Sequence, residues 1–209
     1  MAVRIRTYRE EDLPALYRIS LLTGDAGGDA RRLYRDPEIM GHVYVAPYAV
    51  LLPDLCLVAV DDEGVAGYLV GSADTRAFEA RQERDWWPPL RRRYPDPGPV
   101  PDPAWDADTK RAHRIHHPEG VVPDAVVADH PGHLHMNLLP RLQRRGIGSR
   151  LLAAWYPRVR EAGARRVHVG VNPGNAGGLA FWRRAGFTPI ALPPEENTGR
   201  AVWLGRGVT

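Results

Sequence analysis

Arg141–Ser149, RLQRRGIGS, is the stretch of this sequence that decides the fold, because it contains a Gln-x-x-Gly-x-Gly turn. The extended apolar run His133–Leu139 precedes this turn, and the helical pattern Arg150–Glu161 follows it. Glycines let a backbone approach a ligand closely, and the first amides of a helix direct N–H groups and partial positive charge at an anion. A strand, a glycine turn and a helix in this order therefore predict a site for a phosphorylated cofactor. The arginines that flank the turn are Arg141, Arg144, Arg145 and Arg150.

Length and charge place the chain among ordinary globular proteins. Its 209 residues are enough to bury a core, and we expect one domain over residues 1–209. The formal net charge is +3, and acidic residues are interspersed among basic ones, of which Lys110 is the only lysine. No basic tail or face stands out, so binding to nucleic acid is disfavoured.

Cysteine content and hydropathy indicate a cytoplasmic protein. Cys56 is the only cysteine, which excludes an internal disulfide framework and fits a reducing compartment. The first residues, MAVRIRTYREEDL, lack the apolar segment of a signal peptide. The longest apolar run, Val43–Val60, is interrupted by Pro47, Pro53 and Asp54, so we expect no membrane-spanning segment.

Periodicity and turn signals predict the helices and strands on either side of an insertion. Residues 74–130 are rich in Arg, Pro, Trp and His, and we interpret them as an insertion because the flanking strands fit one sheet. Before the insertion we expect a strand at Val3–Tyr8, a helix opening at Glu10–Asp12, a short helix within Arg31–Met40, and a hairpin of Leu55–Asp61 and Val65–Ser72. Within it we expect a helix at Arg76–Arg93, a loop at Val100–Thr109 and a helix at Lys110–His117. After it we expect strands at Leu134–Leu139, Val167–Val171, Phe187–Ala191 and Ala201–Leu204, and helices that end near Ala162 and span Gly178–Ala185.

This order of elements, together with a second motif, resembles the GCN5-related N-acetyltransferase (GNAT) family. The second motif is NAGGLAFWRRAGF at Asn175–Phe187, which is similar to the family pattern Asn-x-x-Ala-x-x-φ-Tyr-x-x-x-Gly-Phe. The resemblance implies an α/β (α+β) fold. Its centre is a mixed, mostly antiparallel twisted sheet of about six to seven strands flanked by helices. The helical insertion, residues 74–130, falls between strands 3 and 4.

A narrower resemblance covers nearly the whole chain. The segments GYLVGSADTRAF, WWPPLRRRY and VVPDAVVADHPGHLHMNLLP are similar to the acetyltransferase-like C-terminal domain of eukaryotic O-GlcNAcase. Free-standing bacterial acetyltransferase-like proteins of that subgroup are more similar still. We therefore interpret the insertion as a trait of the subgroup.

The family resemblance implies acetyl-coenzyme A as the donor and assigns its contacts. The strand before the glycine turn is expected to bind pantetheine, and the amides of the turn are expected to cradle the pyrophosphate with charge-assisted hydrogen bonds. The second motif is expected to line the pantetheine arm. The residues assigned in this way are Leu138, Leu139, Arg141, Gln143, Arg144, Arg145, Gly146, Ile147, Gly148, Ser149, Asn175, Phe181 and Trp182.

The same resemblance implies direct attack of an amine on the thioester, with the amide of Leu138 polarising the carbonyl oxygen. Asp74 and His135 are equal candidates for the base, since imidazole can deprotonate an amine near neutral pH. By the period of two, His133, His135 and Asn137 share one face of their strand. Asn137 stands where related bacterial sequences carry an acid, and we include it among the catalytic candidates.

The proton donor for the departing thiolate is the point at which this chain differs from the family. Trp182 replaces the usual tyrosine, and an indole N–H does not ionise usefully. A thiolate with a pKa near 8.5 leaves tolerably without an acid. Tyr156 and Tyr68 are possible substitutes, and the sequence favours neither.

Other interpretations stay open beside this one. The chain could be an acetyl-coenzyme A-binding pseudoenzyme or regulatory module, and Asp74 could simply cap the next helix. Trp86, Trp87 and the arginines after them could bind nucleic acid, although packing on the core is more common. The histidines between positions 113 and 135 lack a regular ligand spacing, so no metal is expected. The amine acceptor, a small molecule or peptide, is not identified, and a homodimer is possible.

Overall fold

Seven strands form one sheet in the computed structural model, which describes residues 2–119 and 121–208. They are β1 (Arg4–Thr7), β2 (Leu57–Asp61), β3 (Gly64–Ser72), β4 (Gly132–Leu138), β5 (Arg166–Val171), β6 (Thr188–Pro189) and β7 (Val202–Gly207). Their order is β1-β2-β3-β4-β5-β7-β6, and each neighbouring pair is antiparallel except β4 and β5. The predicted sheet, mixed and mostly antiparallel, is confirmed.

Helices flank this sheet, and the α-helices among the described residues number nine. They are α1 (Leu13–Leu22), α2 (Ile39–Tyr44), α3 (Ala46–Leu51), α4 (Thr75–Asp85), α5 (Trp87–Arg93), α6 (Ala107–His116), α7 (Asp124–Asp129), α8 (Ile147–Glu161) and α9 (Ala176–Arg184). Helices α4 to α7 lie between β3 and β4, where the insertion was predicted. No helix in the described part of the chain is both long enough and apolar enough to cross a membrane.

The hairpin of β2 and β3 lies at the centre of the core. Its turn contains Gly64 with a φ of +107°, a conformation that favours glycine. Most side chains of both strands are buried, because helices cover both faces, and the strands accordingly read as continuous apolar runs. Trp155 of α8 is fully buried against this layer, and its indole N–H donates to the carbonyl of Leu55 at 3.0 Å.

The segment between α1 and β2 differs from the prediction. No helix forms over Arg31–Asp36, since the chain runs there in turns, and α2 begins only at Ile39, beyond Pro37. The apolar run that follows forms α2 and α3, with Pro47 in the first turn of α3, where a missing N–H costs nothing. Pro47, which interrupts the apolar run in the sequence, thus lies at the start of a helix.

The insertion contains more helices than its sequence predicted. The helix expected over Arg76–Arg93 is broken at Trp86, because the two prolines that follow fit only a first helical turn. Trp86 donates its indole N–H to the carbonyl of His42 at 2.9 Å, and Trp87 is buried in a small apolar cluster of its own. That cluster joins α5 and α6 to α2, which fixes the insertion to the first part of the chain. Its buried members are Ile39, Val43, Trp87, Leu90, Tyr94, Ala112 and Ile115.

The remaining boundaries agree with the sequence to within a few residues. Strand β6 is shortened to Thr188–Pro189, although the amide of Ile190 still donates to the carbonyl of Trp203 at 3.0 Å. Helix α7 was not predicted. That residues 1–209 form a single domain stays a prediction.

Candidate active site

Strands β4 and β5 separate from each other beyond their first two residue pairs. The parallel pairing consists of Gly132 with Val167 and His133 with His168, whereas β4 continues along β3 as far as Leu138. We call the gap between 134–138 of β4 and 169–171 of β5 the splayed cleft. Backbone groups of β4 that point into it have no partner strand, so they are available to a ligand.

The hydrogen bonds of β4 determine which amides face the splayed cleft. The amide of Leu139 donates to the carbonyl of Ala66 at 2.9 Å, on the β3 side. Since successive amides alternate in direction, those of Leu138 and Met136 point toward β5. The carbonyl of Leu139 accepts from the amide of Leu142, so both backbone groups of Leu139 already have partners within the protein. The amide of Met136, which sequence reasoning did not name, points into the splayed cleft instead.

The glycine turn leads from the splayed cleft into α8. Gly146 has a φ of +72° and precedes the first residue of α8, which has no side-chain cap. The side-chain amide of Gln143 donates back to the carbonyl of Leu138 at 2.9 Å and so ties the turn to the end of β4. The first amides of a helix, here those of Ile147 to Ser149, have no intrahelical acceptors. This arrangement fits a pyrophosphate at the end of the cleft.

The second motif packs directly against the turn. A Cβ placed on Gly148 would lie 2.9 Å from a ring carbon of Phe181, so glycine is required for α8 and α9 to approach. Asn175 caps α9, accepting from the amide of Gly178 at 2.8 Å. Trp182 is 7% exposed and contacts the ring of Phe187, which places its indole in the core. Of the two aromatic residues, Phe181 is the one that remains half-exposed.

The arginines around the turn do not all face the same way. The guanidinium of Arg141 bonds the buried carboxylate of Asp61 at 2.7 Å, which raises the pKa of Arg141 and lowers that of Asp61. Arg141 is therefore held by the protein itself. Arg150 donates to the carbonyl of Val3 at 2.9 Å, away from the turn. Arg144 and Arg145 are exposed beside the glycines.

The side chains of β4 alternate between the two faces of the sheet, as the period of two predicted. The side chain of Met136 reaches the Gly148 region on the α8 side. On the opposite face the ring of His135 lies 5.4 Å from that of Tyr48, and the side-chain amide of Asn137 donates to the hydroxyl of Thr23. Thr23 opens the loop between α1 and α2, so this loop covers the His135–Asn137 face of the sheet.

His133 is a buried structural residue. The hydroxyl of Thr75 donates to the carbonyl of Pro131 at 2.7 Å, so it must accept from Nδ1 of His133, 2.8 Å away. Nε2 then accepts from the hydroxyl of Tyr48 at 2.7 Å. All bonds are satisfied by the neutral ring, and burial lowers the pKa of His133 well below its ordinary value.

His135 is a weaker base than its sequence context suggested. Burial and the positive charge of Arg114 lower its pKa to about 4, so the ring is neutral at pH 7. Its ring lies 6.2 Å from that of Tyr44. The expectation of a base that titrates near neutral pH is wrong, and the side chain is better suited to accept a hydrogen bond.

Asp74 lies at the other end of β4 from the glycine turn. Its carboxylate accepts from the amide of Ala77 at 3.0 Å and caps α4, the alternative role that the sequence allowed. Ser72, two residues earlier, pairs with His133, whereas Gly67 pairs with Leu138. Five residues of strand span about 17 Å. Asp74 is therefore not brought together with Asn137 and the open part of the splayed cleft.

Neither substitute for the missing acid faces the cleft. Tyr68 is 1% exposed in the core, and burial raises its pKa. Tyr156 lies on α8 with its ring 5.2 Å from the guanidinium of Arg206, a residue that pairs with Val167 where β4 and β5 are still joined. No group of three or more His, Cys, Asp or Glu residues within the described ranges could hold a metal.

Sequence reasoning missed several residues around His135. Tyr44 and Tyr48 come from α2 and α3, and Arg111 and Arg114 come from α6. Their approach to β4 depends on how these three helices pack, which the sequence pattern does not encode. The one available signal is the spacing of three between the two arginines, which places both on one face of a helix.

The fold and the splayed cleft define an acetyltransferase. The chain belongs to the acetyltransferase (GNAT) family, whose model matches residues 28–187. The crystal structure of SsHAT is 36% identical and superposes with a TM-score of 0.89 over 100% of both chains. The structure of yncA from Salmonella typhimurium with its cofactor acetyl-CoA shares the fold, at 17% identity and a TM-score of 0.54, over 100% of this chain and 95% of that one.

A curated relative extends the similarity to a much longer protein. Protein O-GlcNAcase of Rattus norvegicus is 24% identical over 208 residues, which are 98% of this chain and 22% of the relative. The chain thus spans about a fifth of that protein's length.

Proposed function

We propose that this protein transfers the acetyl group of acetyl-coenzyme A to an amine by direct attack on the thioester. The observation that carries the proposal is the splayed cleft, which ends on the uncapped N-terminus of α8. Orphan strand amides suit the amide-rich pantetheine arm, and helix amides suit the pyrophosphate. Membership of the GNAT family supports the same donor.

The donor would be held along its length by named groups. Amides from Gln143 to Ser149 bind the pyrophosphate, with Arg144 and Arg145 adding charge. The amides of Met136 and Leu138 bind the pantetheine and acetyl carbonyl. Asn175 and Phe181 flank the arm through the α9 motif, with Trp182 packed behind Phe181.

The amine would approach from the face that carries His135 and Asn137. It attacks as the neutral free base, since His135, with a pKa of about 4, does not deprotonate an ammonium. His135 instead accepts a hydrogen bond from the amine N–H and aligns its lone pair. A new C–N bond forms while an amide of β4, that of Leu138 in our assignment, stabilises the oxyanion.

The C–S bond then breaks, and the proton of the attacking nitrogen ends on the sulfur. No side-chain acid is required, because a thiolate with a pKa near 8.5 is a tolerable leaving group. Replacement of the family tyrosine by Trp182 is therefore compatible with transfer.

Two experiments test this function. Acetyl-coenzyme A at about a hundredfold excess over its Kd should raise Tm by roughly 5–10 °C. Absence of any shift at saturation overturns the donor site. Release of free thiol in the presence of a panel of amines then separates an enzyme from a module that only binds, and silence with every amine would overturn the transfer.

A further inference from the structure

Two arginines of the insertion lie near the face of β4 that carries His135. Arg111 and Arg114 lie one turn apart on α6, and both are partly buried. The guanidinium of Arg111 stacks 5.2 Å from the centre of the Tyr44 ring, bonds its hydroxyl, and donates to that of Tyr34 at 3.1 Å. We call Arg111, Arg114 and Tyr44 the arginine wall. Because the Tyr44 ring also contacts His135, this wall reaches the reacting face of β4.

Neither guanidinium is neutralised by the described parts of the protein. No carboxylate among residues 2–119 and 121–208 lies within 4.0 Å of Arg111 or Arg114, whereas Arg91 on the neighbouring helix pairs with Glu83 at 2.8 Å. Glu79, whose charge reaches Arg114 from a greater distance, is bonded to Arg76 at 2.6 Å. Arg114 donates to the carbonyl of Pro118 at 2.7 Å. A partly buried cation with only neutral partners is costly unless a ligand supplies the anion.

The positive charge of Arg114 acts on buried side chains of the same face of β4. It is among the causes that lower the pKa of His133 and His135, so these groups share one electrostatic environment. A polycationic acceptor, such as a polyamine or a lysine-rich peptide, would be repelled by this wall. An anion would be attracted, and a planar guanidinium binds carboxylate or phosphate through two parallel hydrogen bonds.

We propose that the acceptor is a small amine that also carries an anionic group, a carboxylate or a phosphate, which Arg114 binds with Arg111 beside it. This inference rests on the proposed acetyl transfer. The anion on α6 and the amine at His135 then give the acceptor two fixed ends, so that its nitrogen is oriented toward the thioester.

Matched pairs of amines test the inference on the wild-type protein. Thiol release is measured for amino acids against their carboxamides, and for aminoalkyl phosphates against the corresponding amino alcohols. We expect kcat/KM to be about 10- to 100-fold higher for the anionic member of at least one pair, which also identifies the anion. Equal values within both pairs, with transfer observed, overturn the inference and leave the proposed function intact. No transfer to any amine, with acetyl-coenzyme A bound, overturns the proposed function and this inference with it.

Variants then assign the preference to Arg114. In Arg114→Gln the advantage of the anionic acceptor should disappear while the KM for acetyl-coenzyme A stays unchanged, and Arg114→Lys should retain part of it. Arg84→Gln, which removes an exposed arginine paired with Asp85, is the matched control and should leave the preference intact. A preference that survives in Arg114→Gln overturns the assignment. If that variant does not fold, the lysine variant and the wild-type pairs still decide the question.

Discussion

Gly148 of the glycine turn and Phe181 of the second motif are in direct contact. A Cβ on Gly148 would lie 2.9 and 3.0 Å from two ring carbons of Phe181, well inside normal contact distance. The two sequence motifs, which are far apart along the chain, thus form one packed unit. The glycine turn and helix α9 hold each other in place.

Gly148→Ala should therefore lower both stability and donor affinity. Displacement of the Phe181 ring is expected to reduce the free energy of unfolding by about 1–3 kcal/mol, as measured by urea denaturation. Gly207→Ala is the matched control, since a Cβ there meets nothing within 4 Å, and its effect should stay within about 0.5 kcal/mol. Equal stabilities of the two variants would show that the contact is not tight.

Gly146→Glu should abolish binding of acetyl-coenzyme A. The residue has a φ of +72°, and a carboxylate there would stand against the pyrophosphate, lowering affinity by about 100-fold or more in calorimetric titration. Gly163→Glu is the control that separates the effect of backbone strain from the effect on the binding site. Gly163 also has a positive φ, of +102°, but it lies beyond the other end of α8. That control should lose stability and keep affinity. Tight binding by Gly146→Glu would refute the pyrophosphate assignment.

The ion pair between Asp61 and Arg141 makes a pH-dependent contribution to stability. Since the pair lowers the pKa of Asp61, its contribution is complete above the unfolded value near 3.9 and is lost as the pH falls through the lower folded value. Asp61→Asn should cost on the order of 1 kcal/mol at pH 7. The difference from the wild type should shrink in denaturation series taken below about pH 4. A constant difference down to pH 2 would contradict this account.

The buried histidines make stability depend on pH over a higher pH range than the Asp61–Arg141 pair does. Burial lowers the pKa of His168 and of His135 to about 4, and His133 shifts in the same direction. Their neutral state contributes fully above the unfolded pKa near 6.5, and that stability is lost as the pH falls from there toward 4. Each histidine adds a slope of up to about 1.4 kcal/mol per pH unit. The urea concentration at the midpoint of unfolding should fall between pH 6.5 and pH 5, and it should fall less steeply for His168→Asn than for the wild type. Parallel curves for the two proteins would contradict the assignment.

Local patterns predicted the parts of the site that depend on neighbouring residues. The glycine turn, the capping Asn175 and the β2–β3 hairpin are recognisable because their conformations follow from a few adjacent residues. Alternation along β4 also placed His135 and Asn137 on one face. These features were enough to predict the fold, and they carry the proposed site of the donor.

The remaining features of the fold and the site depend on contacts between segments that are distant in the sequence. The amide of Leu139 is occupied by Ala66, which only the strand register reveals. The low pKa of His135 depends on burial and on the charge of Arg114, which acts from the insertion. Helix α3 escaped prediction because Pro47 lies in its first turn, and a proline within an apolar run does not show by itself whether it starts or ends a helix.

Amide hydrogen exchange along β4 tests the central claim most directly, because it reports individual backbone groups in the splayed cleft. With acetyl-coenzyme A added, exchange at Met136 and Leu138 should slow markedly, while Leu139, already bonded to Ala66, should change little. Binding of acetyl-coenzyme A with unchanged exchange at Met136 and Leu138 would contradict the account, since the donor would then lie outside the cleft.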